Sequence, residues 1–167
     1  MTELGWPGIA IPEAFGGAGL GMGEAVCIAE AMGRHLMVTP FIQTVIAGDV
    51  IRRFASDEQQ QALLPRLAAG ERIAIALSEE NGDWNLCNIE SRASLGGSGI
   101  RLSGHKFQVQ DAAEADLFLI SVMLDGKATL VYADKTQIGS ERLVWETVID
   151  ETRRSYQLDL DGCVLPA

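Results

Sequence analysis

The run Gly70-Glu-Arg-Ile-Ala-Ile-Ala-Leu-Ser-Glu-Glu-Asn-Gly-Asp-Trp-Asn85 marks a change of pattern in this chain. Before it, apolar residues recur at helical spacing, and after it they alternate with the period of two that is typical of strands. A second strand signal follows in Leu102-Ser-Gly-His-Lys-Phe-Gln-Val-Gln-Asp111. We therefore predict an α+β, multi-domain fold: a short helical N-terminal domain over residues 1–70, then an antiparallel β-barrel or sandwich-like middle domain over 71–167. Pockets favour junctions of this kind, so we expect the functional site there.

Three helices are predicted before Gly70. The first runs from about Gly23 to Arg34, after an irregular, glycine-rich opening. The second follows Thr39-Pro40, with the threonine as N-cap and the proline at the first helical position, and its apolar residues predict that it is largely buried. The third runs from Asp57 to about Ala68 behind a capping box, with a proline in its interior.

Short strands separated by turns are predicted after Gly70. The clearest hairpin signal is Asp125-Gly126 between two apolar runs. The predicted strands cover residues 72–79, 88–95, 99–102, 105–110, 117–124, 127–134, 139–149 and 154–161.

The composition predicts a soluble cytoplasmic protein that binds neither nucleic acid nor membrane. With 23 acidic and 13 basic residues the net charge is −10, so little here would neutralise a phosphate backbone. The start of the chain lacks a signal-peptide pattern, and the longest apolar runs are strand-sized. Cys27, Cys87 and Cys163 are far apart and form no cluster with either histidine, which indicates free thiols and no metal site.

Few residues point to chemistry on spacing alone. Ser78, near the end of an apolar strand, is either a ligand-binding hydroxyl or a core serine. Glu79-Glu80 is interpreted as solvated acidic residues at a strand end, with a general base as the alternative. His105-Lys106 is interpreted as a solvated strand edge, with a catalytic base at His105 as the alternative. The stretch Asp150-Glu-Thr-Arg-Arg154 is either an ion-paired surface turn or the carrier of a phosphate-binding arginine.

Several segments resemble the acyl-CoA dehydrogenase family, in the order in which that family has them. They are Leu4-Gly-Trp-Pro-Gly-Ile-Ala-Ile-Pro-Glu-Ala-Phe-Gly-Gly-Ala-Gly-Leu20, Leu63-Leu-Pro-Arg-Leu-Ala-Ala-Gly-Glu71, Gly104-His-Lys106, Ala115-Asp-Leu-Phe-Leu-Ile120 and Leu160-Asp-Gly-Cys-Val-Leu-Pro-Ala167. The resemblance implies part of a helical N-terminal domain and a middle β domain, with FAD as cofactor and an acyl-CoA as substrate. It also implies that the chain is a fragment without the C-terminal helical domain, which holds the catalytic glutamate in the family, so no catalytic residue is assigned here.

Two family motifs carry the expected binding residues. The first family motif reads roughly Ala-x-Thr-Glu-Pro-x-x-Gly-Ser-Asp, and the matching segment here is Ala76-Leu-Ser-Glu-Glu-Asn-Gly-Asp-Trp-Asn85. The second reads roughly Lys-x-Trp-Ile-Thr-Asn-Ala, and the matching segment here is Lys106-Phe-Gln-Val-Gln-Asp-Ala112. The resemblance implies that this chain would bind FAD and acyl-CoA through positions that match these motifs. The expected cofactor-binding residues are Leu77, Ser78, Gln108, Val109 and Gln110, and the expected substrate-binding residues are Trp84 and Asn85.

The leading hypothesis is a divergent acyl-CoA dehydrogenase of fatty acid or lipid metabolism, acting in β-oxidation as a homo- or hetero-oligomer, with an electron-transfer flavoprotein as electron acceptor. Gln108 replaces the family's aromatic residue, and Glu80 replaces its proline. These differences motivate an alternative, a non-catalytic, flavin-less partner subunit of a heteromeric enzyme. A third alternative is an unrelated β-barrel binding module with a helical cap.

Overall fold

The computed structural model describes residues 2–83, 85–97, 99–150 and 152–166. It divides into two compact units, Met1–Ile73 and Ala74–Ala167. The first unit is helical, and the second is built mainly from strands. The predicted α+β fold class is therefore confirmed. Within the described ranges, no helix has both the length and the apolar character needed to span a bilayer.

The first unit is built from three α-helices that follow a segment with short 3₁₀ helices, among them Trp6–Gly8 and Glu13–Phe15. Backbone hydrogen bonds tie this segment together, since the Ala18 N–H donates to the Gly8 carbonyl at 2.9 Å and the Leu20 N–H to the Ile9 carbonyl at 3.0 Å. The helices are α1 (Met22–Arg34), α2 (Phe41–Phe54) and α3 (Asp57–Ala68).

Helix α3 begins with the predicted capping box. The Ser56 hydroxyl accepts a hydrogen bond from the Gln59 N–H at 3.3 Å, and the Gln59 side chain accepts one from the Ser56 N–H at 3.0 Å. Each residue thereby satisfies a backbone donor that a helix start leaves unpaired. Pro65 lies inside the helix, as the sequence predicts.

Helix α2 begins one residue later than predicted. Pro40 precedes the helix, and its carbonyl accepts the first helical hydrogen bond, from the Thr44 N–H at 3.0 Å. The Thr39 hydroxyl still accepts a hydrogen bond from the Phe41 N–H at 3.3 Å, so its capping function is kept at the shifted start.

The prediction that α2 is largely buried is only partly correct. Val45 and Ile51 are buried, but Ile42 is 50% exposed and Ile46 is 44% exposed. The helix thus has one buried face and one apolar face open to solvent, because its apolar residues exceed what one packed face accommodates. The core between the first two helices is formed by Ala25, Met32, Phe41 and Val45.

The second unit contains two sheets. The larger has the strand order β1-β5-β2-β3-β9, with β6 paired to β5, and the smaller has the order β4-β8-β7. A short helix, α4 (Lys135–Ile138), follows β6. The strands are β1 (Ile73–Ala76), β2 (Arg92–Gly96), β3 (Gly99–Ser103), β4 (His105–Gln110), β5 (Leu117–Leu124), β6 (Lys127–Asp134), β7 (Leu143–Glu146), β8 (Ser155–Asp159) and β9 (Val164–Leu165).

The hairpin of β5 and β6 is confirmed. The strands pair antiparallel from Leu117↔Asp134 to Leu124↔Lys127. Asp125 and Gly126 connect them with φ angles of 49° and 75°. Two central residues with positive φ are typical of the type I′ turn, whose twist matches that of the paired strands.

Several strand predictions need correction: the predicted strands 72–79 and 88–95 are observed as Ile73–Ala76 and Arg92–Gly96, and the strand Val164–Leu165 was not predicted. The predicted strand 139–149 is shortened to Leu143–Glu146, because the chain first forms α4 and a 3₁₀ turn, Ser140–Arg142. The predicted antiparallel arrangement fails for one pairing: β2 runs parallel to β5 at Met123 and Leu124. These two strands are distant in sequence, so no hairpin connection imposes an antiparallel direction on them.

One apolar core fills the second unit. It includes residues from both sheets, among them Phe118, Ile120, Val109 and Leu158, each with no exposed surface. Gly104 lies at the turn into β4 with a φ of 106°, and an added Cβ would lie 2.8 Å from the Ser91 hydroxyl oxygen. Both the backbone conformation and the space therefore require glycine just before Lys106.

Candidate functional site

Ser78 and the strand that carries Gln108 and Gln110 are hydrogen-bonded neighbours. The Phe107 N–H in β4 donates to the Ser78 carbonyl oxygen at 2.9 Å. The structure therefore brings the two motifs of the sequence analysis together within the second unit.

The five predicted cofactor-binding residues differ in exposure. Val109 is fully buried and anchors β4 in the core. Leu77 is half-buried, and the side chains of Ser78, Gln108 and Gln110 are exposed. The exposed group offers one hydroxyl and two side-chain amides on adjacent segments.

Of the two predicted substrate-binding residues, Trp84 lies outside the described residues, and Asn85 belongs to an exposed loop. The Asn85 N–H donates to the Asp83 carboxylate at 2.8 Å, and the Asn85 side-chain oxygen accepts from the Cys87 N–H at 3.1 Å. The side chain of Asn88 also donates to Asp83, and this hydrogen bond holds the pKa of Asp83 below its usual range. The loop is therefore ordered by its own polar side chains.

A buried ion pair directly follows Ser78 in sequence. The Lys106 Nζ lies 2.6 Å from a Glu79 carboxylate oxygen, and the two side chains are 0% and 6% exposed. The Lys106 Nζ also donates to the Ser121 hydroxyl at 2.9 Å, and that hydroxyl donates to the Leu77 carbonyl at 3.4 Å. The network joins the residues after β1 to β4 and β5.

The environment of Glu79 keeps its carboxylate charged. Burial by itself would raise the pKa of this carboxyl, but hydrogen bonds from Lys106 and from the N–H groups of Glu90 and Ser91 outweigh that effect and lower the pKa to about 2. The two N–H groups lie 2.6 and 2.9 Å from the carboxylate. Burial lowers the pKa of Lys106, and Glu79 opposes this shift.

The sequence-based interpretation of these charged residues was wrong for Glu79 and Lys106. Glu79 was expected to be solvated at the end of a strand covering 72–79, but β1 ends at Ala76 and the Glu79 side chain is buried. Lys106 was expected at a solvated edge, which fits only its exposed neighbour His105. A lysine at an inward position of a strand requires a carboxylate partner, and that signal could have identified the pair.

A β-bulge presents Gln108. The pairing of β4 with β8 shifts register between Lys106 and Val109. Within this bulge Gln108 has a φ of 54°. Its N–H donates to a carboxylate oxygen of Glu146 at 2.8 Å, and the Ser155 hydroxyl donates to the same oxygen at 2.8 Å. Sequence reasoning missed Glu146.

The charged turn before β8 forms ion pairs. The Arg153 Nη2 lies 2.8 Å from the Asp111 carboxylate, and the Arg154 Nη1 lies 3.8 Å from Glu114. The Asp111 N–H also donates to the Arg154 carbonyl at 2.8 Å. This geometry favours the ion-paired turn over an arginine that binds phosphate.

His105, Asp159 and Asp161 place possible ligand atoms within 4.8 Å of one another. The His105 Nε2 lies 3.5 Å from Asp159. However, Asp159 accepts a hydrogen bond from the Asp161 N–H, and Asp161 accepts one from the Gly104 N–H, each at 2.8 Å. These hydrogen bonds connect the turn at Gly104 to the turn at Asp161, which explains the cluster without a metal ion.

Comparison with known proteins identifies the family to which this fold belongs. A family model described as the acyl-CoA dehydrogenase N-terminal domain matches residues 1–71. A curated relative, acyl-CoA dehydrogenase FadE27 of Mycobacterium tuberculosis, is 34% identical over 132 residues, which are 78% of this chain and 34% of the relative. The chain belongs to the acyl-CoA dehydrogenase family.

Solved structures extend the similarity over almost the whole chain. The ChsE4-ChsE5 complex from Mycobacterium tuberculosis matches with 27% identity and a TM-score of 0.81, covering 99% of this chain and 44% of that one. An acyl-CoA dehydrogenase complexed with FAD from Bacillus anthracis matches with 25% identity and a TM-score of 0.79, covering 99% and 30%. The chain thus spans less than half the length of these relatives. Membership of the family excludes the alternative of an unrelated β-barrel module.

Proposed function

We propose that the full-length protein is an FAD-dependent oxidoreductase of β-oxidation type that oxidises an acyl-CoA thioester between Cα and Cβ, and that this chain is the part of it that holds one face of the flavin. The observation that carries the proposal is the hydrogen bond from the Phe107 N–H to the Ser78 carbonyl at 2.9 Å, because it joins the two motifs expected to contact the flavin. The FAD-complexed relative supports the choice of cofactor.

The donor set of the described residues fits a flavin. The polar edge of a flavin ring carries carbonyl oxygens and nitrogens that need hydrogen-bond partners. The exposed hydroxyl of Ser78 and the exposed side-chain amides of Gln108 and Gln110 can both donate and accept. Buried Val109 holds the strand that carries two of them. Such sites commonly combine an apolar wall with a few placed polar groups.

When bound, FAD supplies the two-electron acceptor of the reaction. In our proposal Ser78 and Gln110 orient the flavin by hydrogen bonds, and Leu77 and Val109 form the apolar support behind them. Asn85 contacts the acyl-CoA, and the family resemblance implies the same role for Trp84. We assign no base to this chain, and the family resemblance places that role on a glutamate of a C-terminal helical domain.

The visible absorption spectrum of purified full-length protein tests the proposal. We expect about one flavin per chain, and bleaching of the flavin by an acyl-CoA under anaerobic conditions. Ser78→Ala should weaken FAD binding by roughly 3- to 10-fold, the effect of one lost hydrogen bond. Ser94→Ala, at an exposed serine of β2, is the matched control. Bound FAD that no acyl-CoA reduces would contradict the proposed reaction.

The second candidate function is the flavin-less partner subunit. It is motivated by Gln108, which cannot stack on a flavin as an aromatic side chain does. The similarity to acyl-CoA dehydrogenases does not favour it over the first candidate. One flavin in every subunit removes it, whereas a chain without flavin that co-purifies with a flavin-bearing homologue supports it.

We also propose that the full-length protein is an oligomer with itself or with a homologous subunit. The complex formed by the ChsE4 and ChsE5 relatives motivates the second form. We propose an electron-transfer flavoprotein as electron acceptor, and a cytoplasmic location in keeping with three free cysteines. Light scattering of the full-length protein measures the subunit number.

A further inference from the structure

Gln108 has a backbone conformation that is unusual for its residue type. Its φ of 54° falls in the left-handed region, at a bulge in the pairing of β4 with β8. A non-glycine residue in this region is strained, and such residues persist where the surroundings hold them. Strained residues cluster at functional sites, so the groups that hold Gln108 are of interest.

Glu146 is the group that holds Gln108. One oxygen of its carboxylate accepts hydrogen bonds from the Gln108 N–H and from the Ser155 hydroxyl, each at 2.8 Å. Ser155 is only 3% exposed, so the carboxylate is fixed on one side by a buried donor. Hydrogen bonds to a charged acceptor are roughly twice as strong as neutral ones, which suits them to holding a strained backbone.

The same carboxylate is linked to Gln110. In the register of the smaller sheet, Glu146 lies opposite Ser155, and Ser155 lies opposite Gln110. Residues directly opposite each other in an antiparallel pair project their side chains to the same face. Glu146, Ser155 and Gln110 therefore form one polar row across three strands. Val109, Tyr156 and Trp145 form the neighbouring row, which by strand alternation projects to the opposite face.

We propose that Glu146 is a positioning residue for FAD: it fixes the bulge at Gln108 and, through Ser155, the row that ends in Gln110. This inference rests on the proposed function, because it assumes that Gln108 and Gln110 face the flavin. Glu146 thus sets the spacing of the Gln108 and Gln110 side chains and takes no part in the reaction itself. Its fixed negative charge on that face should also disfavour addition of electrons to the flavin.

The test compares three variants of the full-length protein. Glu146→Ala removes the acceptor, and Glu146→Gln keeps a side-chain oxygen but removes the charge. Glu141→Ala changes an exposed glutamate five positions earlier and serves as control. The measurements are the FAD dissociation constant, the flavin reduction potential and the hydrogen exchange of the Gln108 amide.

We expect Glu146→Ala to weaken FAD binding about tenfold and to speed exchange of the Gln108 amide. Glu146→Gln should restore most of the binding while raising the reduction potential, and Glu141→Ala should match wild type. Faster exchange with unchanged FAD affinity and potential would overturn the inference, because Glu146 would then be merely structural. If Glu146→Ala does not fold, the flavin reduction potential of Glu146→Gln is compared with that of the wild type. Equal potentials overturn the inference.

The experiment separates this inference from the proposed function. A wild-type protein that carries FAD, with Glu146 variants that behave as wild type, overturns the inference alone. A wild-type protein that binds no FAD overturns the proposed function and the inference with it.

Discussion

Lys106 carries a positive charge at a position with no exposed surface. Its ammonium group is compensated by Glu79 and by the Ser121 hydroxyl, at 2.6 and 2.9 Å. The Glu79 carboxylate is also held in place by hydrogen bonds from the backbone N–H groups of Glu90 and Ser91, which directly precede β2. Removing one partner of such a pair leaves an uncompensated buried charge, which costs more than the intact pair contributes.

Lys106→Met should therefore lower the free energy of unfolding of the second unit by about 3–5 kcal/mol. Urea unfolding followed by hydrogen exchange of the β5 amides measures this effect. Lys127→Met removes the same charge at an exposed position of β6 and should change the free energy by less than about 0.5 kcal/mol. Equal stability of the two variants would show that Glu79 is satisfied without Lys106.

The residues that set this network and the bulge were only partly predictable. Ser78, Gln108 and Gln110 follow from the resemblance of two local motifs, and the predicted roles of these residues remain predictions. Lys106 and Glu79 are 27 positions apart, and Gln108 and Glu146 are 38 positions apart. No local periodicity links residues at such separations, because the pairing of strands decides which of them meet.

At the scale of elements, the β5–β6 hairpin depends on its turn. Gly126 has a φ of 75°, and an added Cβ would meet no atom within 4 Å. Gly126→Ala should therefore cost about 1 kcal/mol through backbone strain alone. Urea unfolding of the variant checks this value.

The matched control for this prediction is Gly23→Ala in α1. An added Cβ at Gly23 also meets open space, but here the backbone is helical. The same substitution should stabilise the chain by roughly 0.5–1 kcal/mol, since alanine favours a helix over glycine. Two effects of the same sign would show that the conformation of the turn does not determine the cost.

Elements with local signals were predicted well, and the others were not. The Ser56 cap of α3 and the Asp125-Gly126 turn are encoded within a few residues, and both are confirmed. The predicted strand 139–149 failed because Gly139, with a φ of 87°, ends α4 and leads into a 3₁₀ turn. An apolar alternation in sequence does not exclude such a turn, since the tertiary contacts of the segment decide its conformation.

For the whole molecule, the change of apolar period near Gly70 predicted a helical part followed by a strand-rich part. The apolar pattern of the sequence did not predict how the strands are arranged in the sheets. The strands divide into a six-stranded and a three-stranded sheet. Several neighbours in these sheets are not consecutive in sequence, among them the parallel pair β2 and β5. Such pairings are selected by packing of the complete core, which a single sequence does not display.

The net charge of the whole molecule sets the background for its pH dependence. The chain carries a net charge of −10 at pH 7 and has an isoelectric point near 4.6. Lowering the pH toward this point reduces the self-repulsion of the folded chain. Below it, carboxylates with depressed pKa values decide the stability, because the unfolded chain then binds protons that the folded chain resists.

Glu79 should provide the largest identified loss of stability in acid. Its pKa of about 2 in the folded protein lies below the ordinary value of 4.5. Its contribution is therefore present above pH 4.5 and is lost as the pH falls from 4.5 through 2. The difference corresponds to about 3 kcal/mol. Urea unfolding at a series of pH values between 5 and 2 measures the slope, and Glu79→Gln, which cannot titrate, should flatten it. The same slope in this variant would assign the acid sensitivity to other carboxylates, such as Asp49, whose pKa the side chain of Arg52 lowers.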